Sequence, residues 1–261
     1  MRHLFVAASL AILTATAPAA ALAGTPHKAA HTLFMKGQFA AAADAAREAG
    51  TPESLALAAR STLVIAAYEV DTKKKALQLI DEALADADAA LALKPGHVGA
   101  TLQKAIGTGY RAQLTHSAGG AKRARRLMEY AARQEPDNPL AQVSLGGWHS
   151  GAIGRLGRFM GSTLLGAKRD KALAAFDRAV MLDDEDPIYT TFYAIGLVDM
   201  GMEEETAKLR ELLTLAANGP PAMDGFERLV RARAREMLAA VGDEDALEEI
   251  TAASRPFALI D

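Results

Sequence analysis

Residues 166–187 read GAKRDKALAAFDRAVMLDDEDP, and this stretch decides the fold. Ala172, Phe176 and Ala179 recur at i, i+4 and i+7, which sets them on one stripe of a helix. The two alanines let a neighbouring helix come close, and Phe176 fills the space between them. An acidic run then ends at Pro187, which has no N–H to continue the helix. The spacing predicts one layer of a stack of helices.

Working outward, the same arrangement returns. Lys28 to Lys36 reads as a helix with Ala30, Leu33 and Phe34 on one side. Gly37-Gln38-Phe39 breaks it and brings an aromatic back onto it. Ala42, Ala46 and Ala49 follow at i, i+4 and i+7, before Gly50 and Pro52. A second pair spans Glu53 to about Lys94. Its first helix carries Leu55, Ala59, Leu63 and Tyr68, and Asp71-Thr72 is placed to cap the next. Leu77, Ile80, Leu84 and Leu91, with Ala83, Ala87 and Ala90, lead to Pro95-Gly96. A third pair is expected from Val98 to Leu114, a turn at Gly119-Gly120, and Lys122 to Gln134 with Ala124, Met128 and Ala131 inward. The fourth begins near Leu140 and contains the stretch quoted above. Pro52, Pro95, Pro136 and Pro187 punctuate the units at intervals of 43, 41 and 51 residues. After Ile188 the signal fades into helices expected at Tyr189–Met200, Glu203–Ala217 and Met223–Ala240. The last of these carries Phe226, Leu229, Val230, Ala234, Met237 and Leu238 on the face that closes the stack.

These units resemble tetratricopeptide (TPR) repeats, whose period is about 34 residues. The longer intervals mark a degenerate array with extended helices. Residues 27–187 resemble TPR-like proteins of the bacterial cell envelope. The segment LGGWH…GRLG…GSTLLGAKRDKALAAFDRAVML, from Leu145, is similar to two groups. One is related to the eukaryotic regulators of microtubule dynamics, and the other is the TPR-like component associated with some TRAP transporters. The resemblance implies an all-α, helical-hairpin solenoid that binds a peptide, a protein or a small ligand, with the first helix of each pair lining a concave surface. The transporter component is a lipoprotein, whereas this chain has no cysteine to lipidate.

Composition agrees with an all-α reading. Half of the 261 residues are hydrophobic but only 5% are aromatic, so the core is expected to be built from small side chains. No period-2 run of β-branched residues stands out. The formal net charge of −3 gives no global attraction to nucleic acid. With no cysteine, neither disulfides nor thiolate zinc sites are possible.

The N-terminus reads as a signal peptide. Arg2 and His3 precede an apolar run from Leu4 to about Thr16, and Ala21-Leu22-Ala23 forms a small-residue cleavage site. The run is short for a membrane span, although an uncleaved anchor is the competing reading. Cleavage after Ala23 removes one of 29 basic residues against 32 acidic ones, so the mature net charge becomes −4. The expected organisation is a signal peptide at 1–23, repeats at 24–187, C-terminal helices on the same solenoid at 188–255, and a frayed tail at 256–261. Export to the periplasm is the expected localisation.

Gly147, Gly151, Gly154, Gly157 and Gly161 share one sector of a helical wheel, opposite Leu145, Ala152, Leu156, Phe159 and Met160. Each interior glycine costs about 0.5–1 kcal/mol relative to alanine. Such a face implies a close helix crossing, a groove for a partner backbone, or self-association. His149, beside the sole tryptophan Trp148, reads either as a core histidine bonded to a carbonyl or as a ligand contact. The candidate partner-binding residues are Trp148, His149, Arg155 and Arg158, with Tyr110 and Arg111 from the preceding unit. Lys122-Arg123-Ala124-Arg125-Arg126 and the stripe Arg228, Arg231, Arg235 read as solvated helix faces, and without interleaved aromatics they do not suggest nucleic acid. The sequence contains no G-x-S-x-G, phosphate-loop or H-E-x-x-H motif. It therefore points to a non-enzymatic scaffold without cofactor or metal. The rival readings are a solute-binding component, a hydrolase or transferase with an unrecognised site, and a self-assembling protein.

Overall fold

The computed structural model describes residues 19–221 and 224–260, all-helical with no strand among them. The polar head and apolar run of the expected signal peptide lie outside the described residues. The helices are α1 (Ala19–Met35), α2 (Phe39–Ala49), α3 (Pro52–Tyr68), α4 (Lys73–Leu93), α5 (Val98–Thr115) and α6 (Ala118–Gln134). They continue as α7 (Pro139–Met160), a π turn (Gly161–Leu165), α8 (Arg169–Leu182), α9 (Pro187–Asp199), α10 (Thr206–Asn218), α11 (Gly225–Ala240) and α12 (Glu244–Ser254). The backbone of α1 runs on through the expected cleavage position at Ala23.

Hairpins form where the sequence breaks. Gly37 (φ +78°) and Gly50 (φ +63°) take left-handed conformations that favour glycine. Phe39 returns onto Phe34 with ring centroids 5.2 Å apart. Pro52, Pro139 and Pro187 each sit in the first turn of a helix, where a missing N–H costs nothing. Two expected turns differ. Gly119 and Gly120 lie in the first turn of α6, and the reversal falls earlier, at His116 (φ +54°), with the Ser117 hydroxyl accepting from the Gly120 N–H. Thr72 is the residue before α4, but its side chain makes no capping bond.

The odd-numbered helices α1, α3, α5, α7 and α9 pack each on the next, and the even-numbered partners α2, α4, α6 and α8 wedge between them. α11 packs on α9 and also meets α1, so the row of first helices closes into a circuit. The closure is tight, because a Cβ on Gly225 would lie 2.3 Å from the Gly37 Cα. Arg228 donates to the Met35 carbonyl at 2.9 Å, and Arg60 of α3 pairs with the buried Asp224 at 3.4 Å. The tail beyond Ser254, expected to fray, packs down instead. Phe257 is only 6% exposed and its N–H donates to the Ala67 carbonyl at 2.7 Å. It finds in α3 and α5 the apolar partner that fraying would deny it.

Phe176 is the pivot of the larger core. Its ring is fully buried and stacks on Tyr193 at 4.9 Å and 12°. A Cβ on Gly146 of α7 would stand 2.8 Å from that ring, and one on Gly196 of α9 only 2.4 Å. The expected five-glycine face does not exist as one surface. Gly157 (φ +72°, ψ 160°) interrupts α7, and Gly161 folds back so that its Cβ would lie 3.0 Å from the Ala152 carbonyl. Nine residues of unbroken helix would separate those two by about 13 Å. Of the five glycines, Gly154 alone makes a close approach to another helix, at Asp199.

Gly146→Ala and Gly196→Ala should therefore each lower unfolding stability by about 1–3 kcal/mol through overpacking. Gly147→Ala, one residue away with nothing within 4 Å of its new Cβ, should raise it by about 0.5–1 kcal/mol. Urea denaturation of the three variants checks the contrast.

Candidate functional site

The six residues singled out in the sequence do not form one cluster. Trp148 and His149 belong to the packing of α7. The Trp148 indole donates to the Ala121 carbonyl at 2.9 Å, and the Arg125 guanidinium lies 5.2 Å from its ring centroid. His149 is 1% exposed, and its Nδ1 accepts from the Lys168 N–H at 3.3 Å rather than donating to a carbonyl. Burial, and then the nearby Lys171 and Arg125, push its pKa down to about 4. It is a neutral core histidine. Arg111 turns away to pair with Asp81 of α4. Arg158 lies beyond the break at Gly157, exposed.

Tyr110 and Arg155 do converge. They meet the ends of α3 and α9 and the C-terminal tail, where the first helices of successive units come together. Phe257 presents its ring edge-on to Tyr110 at 5.1 Å. Arg255 donates from both Nε and Nη2 to Asp199 Oδ1 at 2.8 Å. Arg155 is side-chain exposed, yet surrounding protein strips enough solvent from its guanidinium to lower its pKa, against the attraction of Asp199. Its guanidinium donates to the Gly151 carbonyl of its own helix at 3.4 Å. Burial also raises the Asp199 carboxyl, against the pull of Arg255 and Arg155, and pushes the Tyr110 phenol up to about 12.

Thus the mouth formed by Tyr68, Tyr110, Arg155 and Asp199 holds a turned segment of the protein's own chain, in which the Ala258 N–H donates to the Arg255 carbonyl and the Ile260 N–H to that of Phe257, itself at φ +67°. Three kinds of contact hold it: a backbone hydrogen bond to Ala67, an aromatic edge, and an Arg–carboxylate pair. Sequence reasoning missed Asp199, Arg255 and Phe257. No periodic pattern marks them, and their partners lie more than fifty residues away. Beneath the tail lies a cavity of about 110 Å³, bounded by Tyr68, Thr191, Ile195, Val230 and Leu259. Pockets for small molecules usually run to several hundred Å³. Among the described residues no group of three His, Asp or Glu side chains is arranged to hold a metal ion.

Because His149 is neutral when buried and titrates near 6.5 when unfolded, the unfolded chain binds its proton first as pH falls. Stability should therefore drop between pH 6.5 and 4, by up to about 3 kcal/mol from this residue. Asp186, whose carboxyl burial raises to about 6, works in the opposite sense over the same range. The His149 share is isolated by comparing denaturation curves of the native chain and His149→Gln, which should lose the acid-side slope.

No protein-family model matches the sequence, and no curated protein matches it either. Among solved structures, the chain is similar to the crystal structure of a thermophilic TPR protein from Thermus thermophilus, at 22% identity and a TM-score of 0.58. The match covers 82% of this chain and 98% of that one. At that identity the likeness speaks for the fold alone. With the hairpins described above, it establishes an all-α, TPR-like helical solenoid.

Proposed function

We propose that this protein is an exported, periplasmic, non-enzymatic adaptor that captures a short turned segment of another envelope protein in the mouth of its helical circuit. The TPR-like fold favours protein partners in general. The observation that carries the finer reading is the docking of residues 255–260. A turn with an arginine, a buried aromatic and a backbone N–H directed at the Ala67 carbonyl fits that mouth, so a partner segment of the same chemistry would find the same three contacts. Such a segment competes with the tail. The export reading rests on the apolar run at Leu4 to Thr16 and on the Ala21-Leu22-Ala23 site. The solute-binding alternative is disfavoured by the small volume beneath the tail.

The test is site-specific photocrosslinking in intact cells. A probe at Tyr110 should capture one envelope protein reproducibly, and a probe at the exposed Glu82 of α4 should not. Truncation after Ser254 should raise the Tyr110 yield severalfold while leaving far-ultraviolet helicity nearly unchanged. Crosslinks from Glu82 alone, or yields that truncation does not alter, would dismiss the mouth as the site. The N-terminal residue of the isolated protein checks export, and it should be Gly24.

A further inference from the structure

Beyond the break at Gly157 the chain presents an apolar tip. Phe159 is 78% exposed, and Leu156, Met160 and Leu164 are exposed around it. Among the described residues, these four are half of all large hydrophobic side chains left exposed, gathered within nine positions while the others stand singly. Scattered exposed apolar residues are ordinary, but a gathered set marks a contact surface. The shape excludes a groove. The chain turns at Gly157, runs helically through Phe159 and Met160 into the π turn, and returns so that Gly161 lies on Ala152. The tip therefore protrudes.

Basic side chains outnumber acidic ones around it, Glu129 and Asp170 being the nearby acids in sequence. From Pro139 to Arg169 there is no acidic residue, and beyond Arg155, which faces the mouth, Arg158, Lys168 and Arg169 are basic. The first eleven residues of α6, Ala118 to Met128, carry Lys122, Arg123, Arg125 and Arg126 and again no acid. This part of α6 abuts the far end of the π turn, where Arg125 donates to the carbonyls of Leu165 (2.8 Å) and Gly166 (3.2 Å). Arg125 also faces Glu129, but Arg123, Arg126, Arg158, Lys168 and Lys171 are exposed and form no ion pair among the described residues. A chain with net charge −3 has thus gathered a cationic collar around its most apolar projection.

We propose that this tip docks the protein on the surface of a bilayer containing anionic phospholipid. Phe159, Met160 and Leu164 enter the boundary between headgroups and acyl chains, and Arg158, Lys168 and the exposed α6 cations meet the headgroup phosphates. Apolar side chains flanked by unpaired cations, on a convex projection, are the pattern for interfacial rather than spanning attachment. No described helix is long and apolar enough to cross a membrane. The proposal does not depend on the adaptor reading.

Vesicle co-flotation of the processed chain tests it. The protein should float with phosphatidylcholine vesicles that contain phosphatidylglycerol, stay behind with phosphatidylcholine alone, and be released by salt. The combined variant Phe159→Ser, Met160→Ser, Leu164→Ser should bind about tenfold more weakly or worse. Any retained N-terminal apolar segment is common to both proteins and would bind neutral vesicles too, so it cannot imitate this pattern. Because the chain has no cysteine, Ser162→Cys gives a single labelling position. A polarity-sensitive dye there should shift to the blue on anionic vesicles, in an otherwise native tip. Unchanged flotation of the triple variant, or no dye shift, would overturn the proposal. So would a solution dimer that the triple variant abolishes while vesicles are ignored, which would assign the tip to a protein contact.

Discussion

Three helices meet at a spacing that only one pair of residues permits. Gly146 on α7 and Gly196 on α9 bring their backbones against the two sides of Phe176 on α8, with no Cβ between. The ring is buried completely, and Tyr193 stacks on it from α9. This contact sets the angle at which the last repeat hands over to the C-terminal helices. Everything beyond depends on that angle. α9 must leave it so that α11 reaches α1, where Gly225 and Gly37 allow a second backbone approach. One glycine–aromatic sandwich thus turns an open stack into a circuit, and the circuit in turn places Asp199 and the tail at the mouth.

Much of this was legible in the sequence, for a physical reason. Helix periodicity is local, so Ala172, Phe176 and Ala179, or Ala83, Ala87 and Ala90, announce their face without knowledge of what they meet, and all six are buried. Proline and glycine likewise act on their own φ angles, so Gly37, Gly50 and Pro187 mark boundaries where the chain indeed turns. The reading went astray where the outcome depends on a distant partner or on a choice between local conformations. A wheel drawn over residues 147–161 assumes a continuous helix, and a single glycine with positive φ ends that assumption. The wheel therefore placed glycines together that the chain holds apart. It also passed over Gly146, the glycine that touches Phe176.

The candidate site shows the same division. Tyr110 and Arg155 come together because they sit on first helices of successive units. Trp148 and His149 stand out by their chemistry, and chemistry alone cannot separate a binding side chain from a packing one. The indole bond to Ala121 and the buried, neutral imidazole settle that in favour of packing. The tail, expected to fray, packs down instead. What orders it lies in α3, α5 and α9, at sequence distances that no local window spans.

The break at Gly157 lies between the two proposed contact surfaces. In an unbroken helix Arg155 and Arg158, three residues apart, would share a face. Here Arg155 stays on α7 and faces Asp199 and Tyr110, whereas Arg158 begins the projecting tip. The glycine that interrupts α7 therefore assigns one arginine to the interior of the circuit and the other to its outer rim. A side chain at position 157 would oppose the positive φ and favour straightening the helix. Straightening would carry Phe159 and Met160 out along the axis of α7 and draw Gly161 off Ala152. The tip and the mouth are thus separate surfaces only as long as that one residue lacks a Cβ.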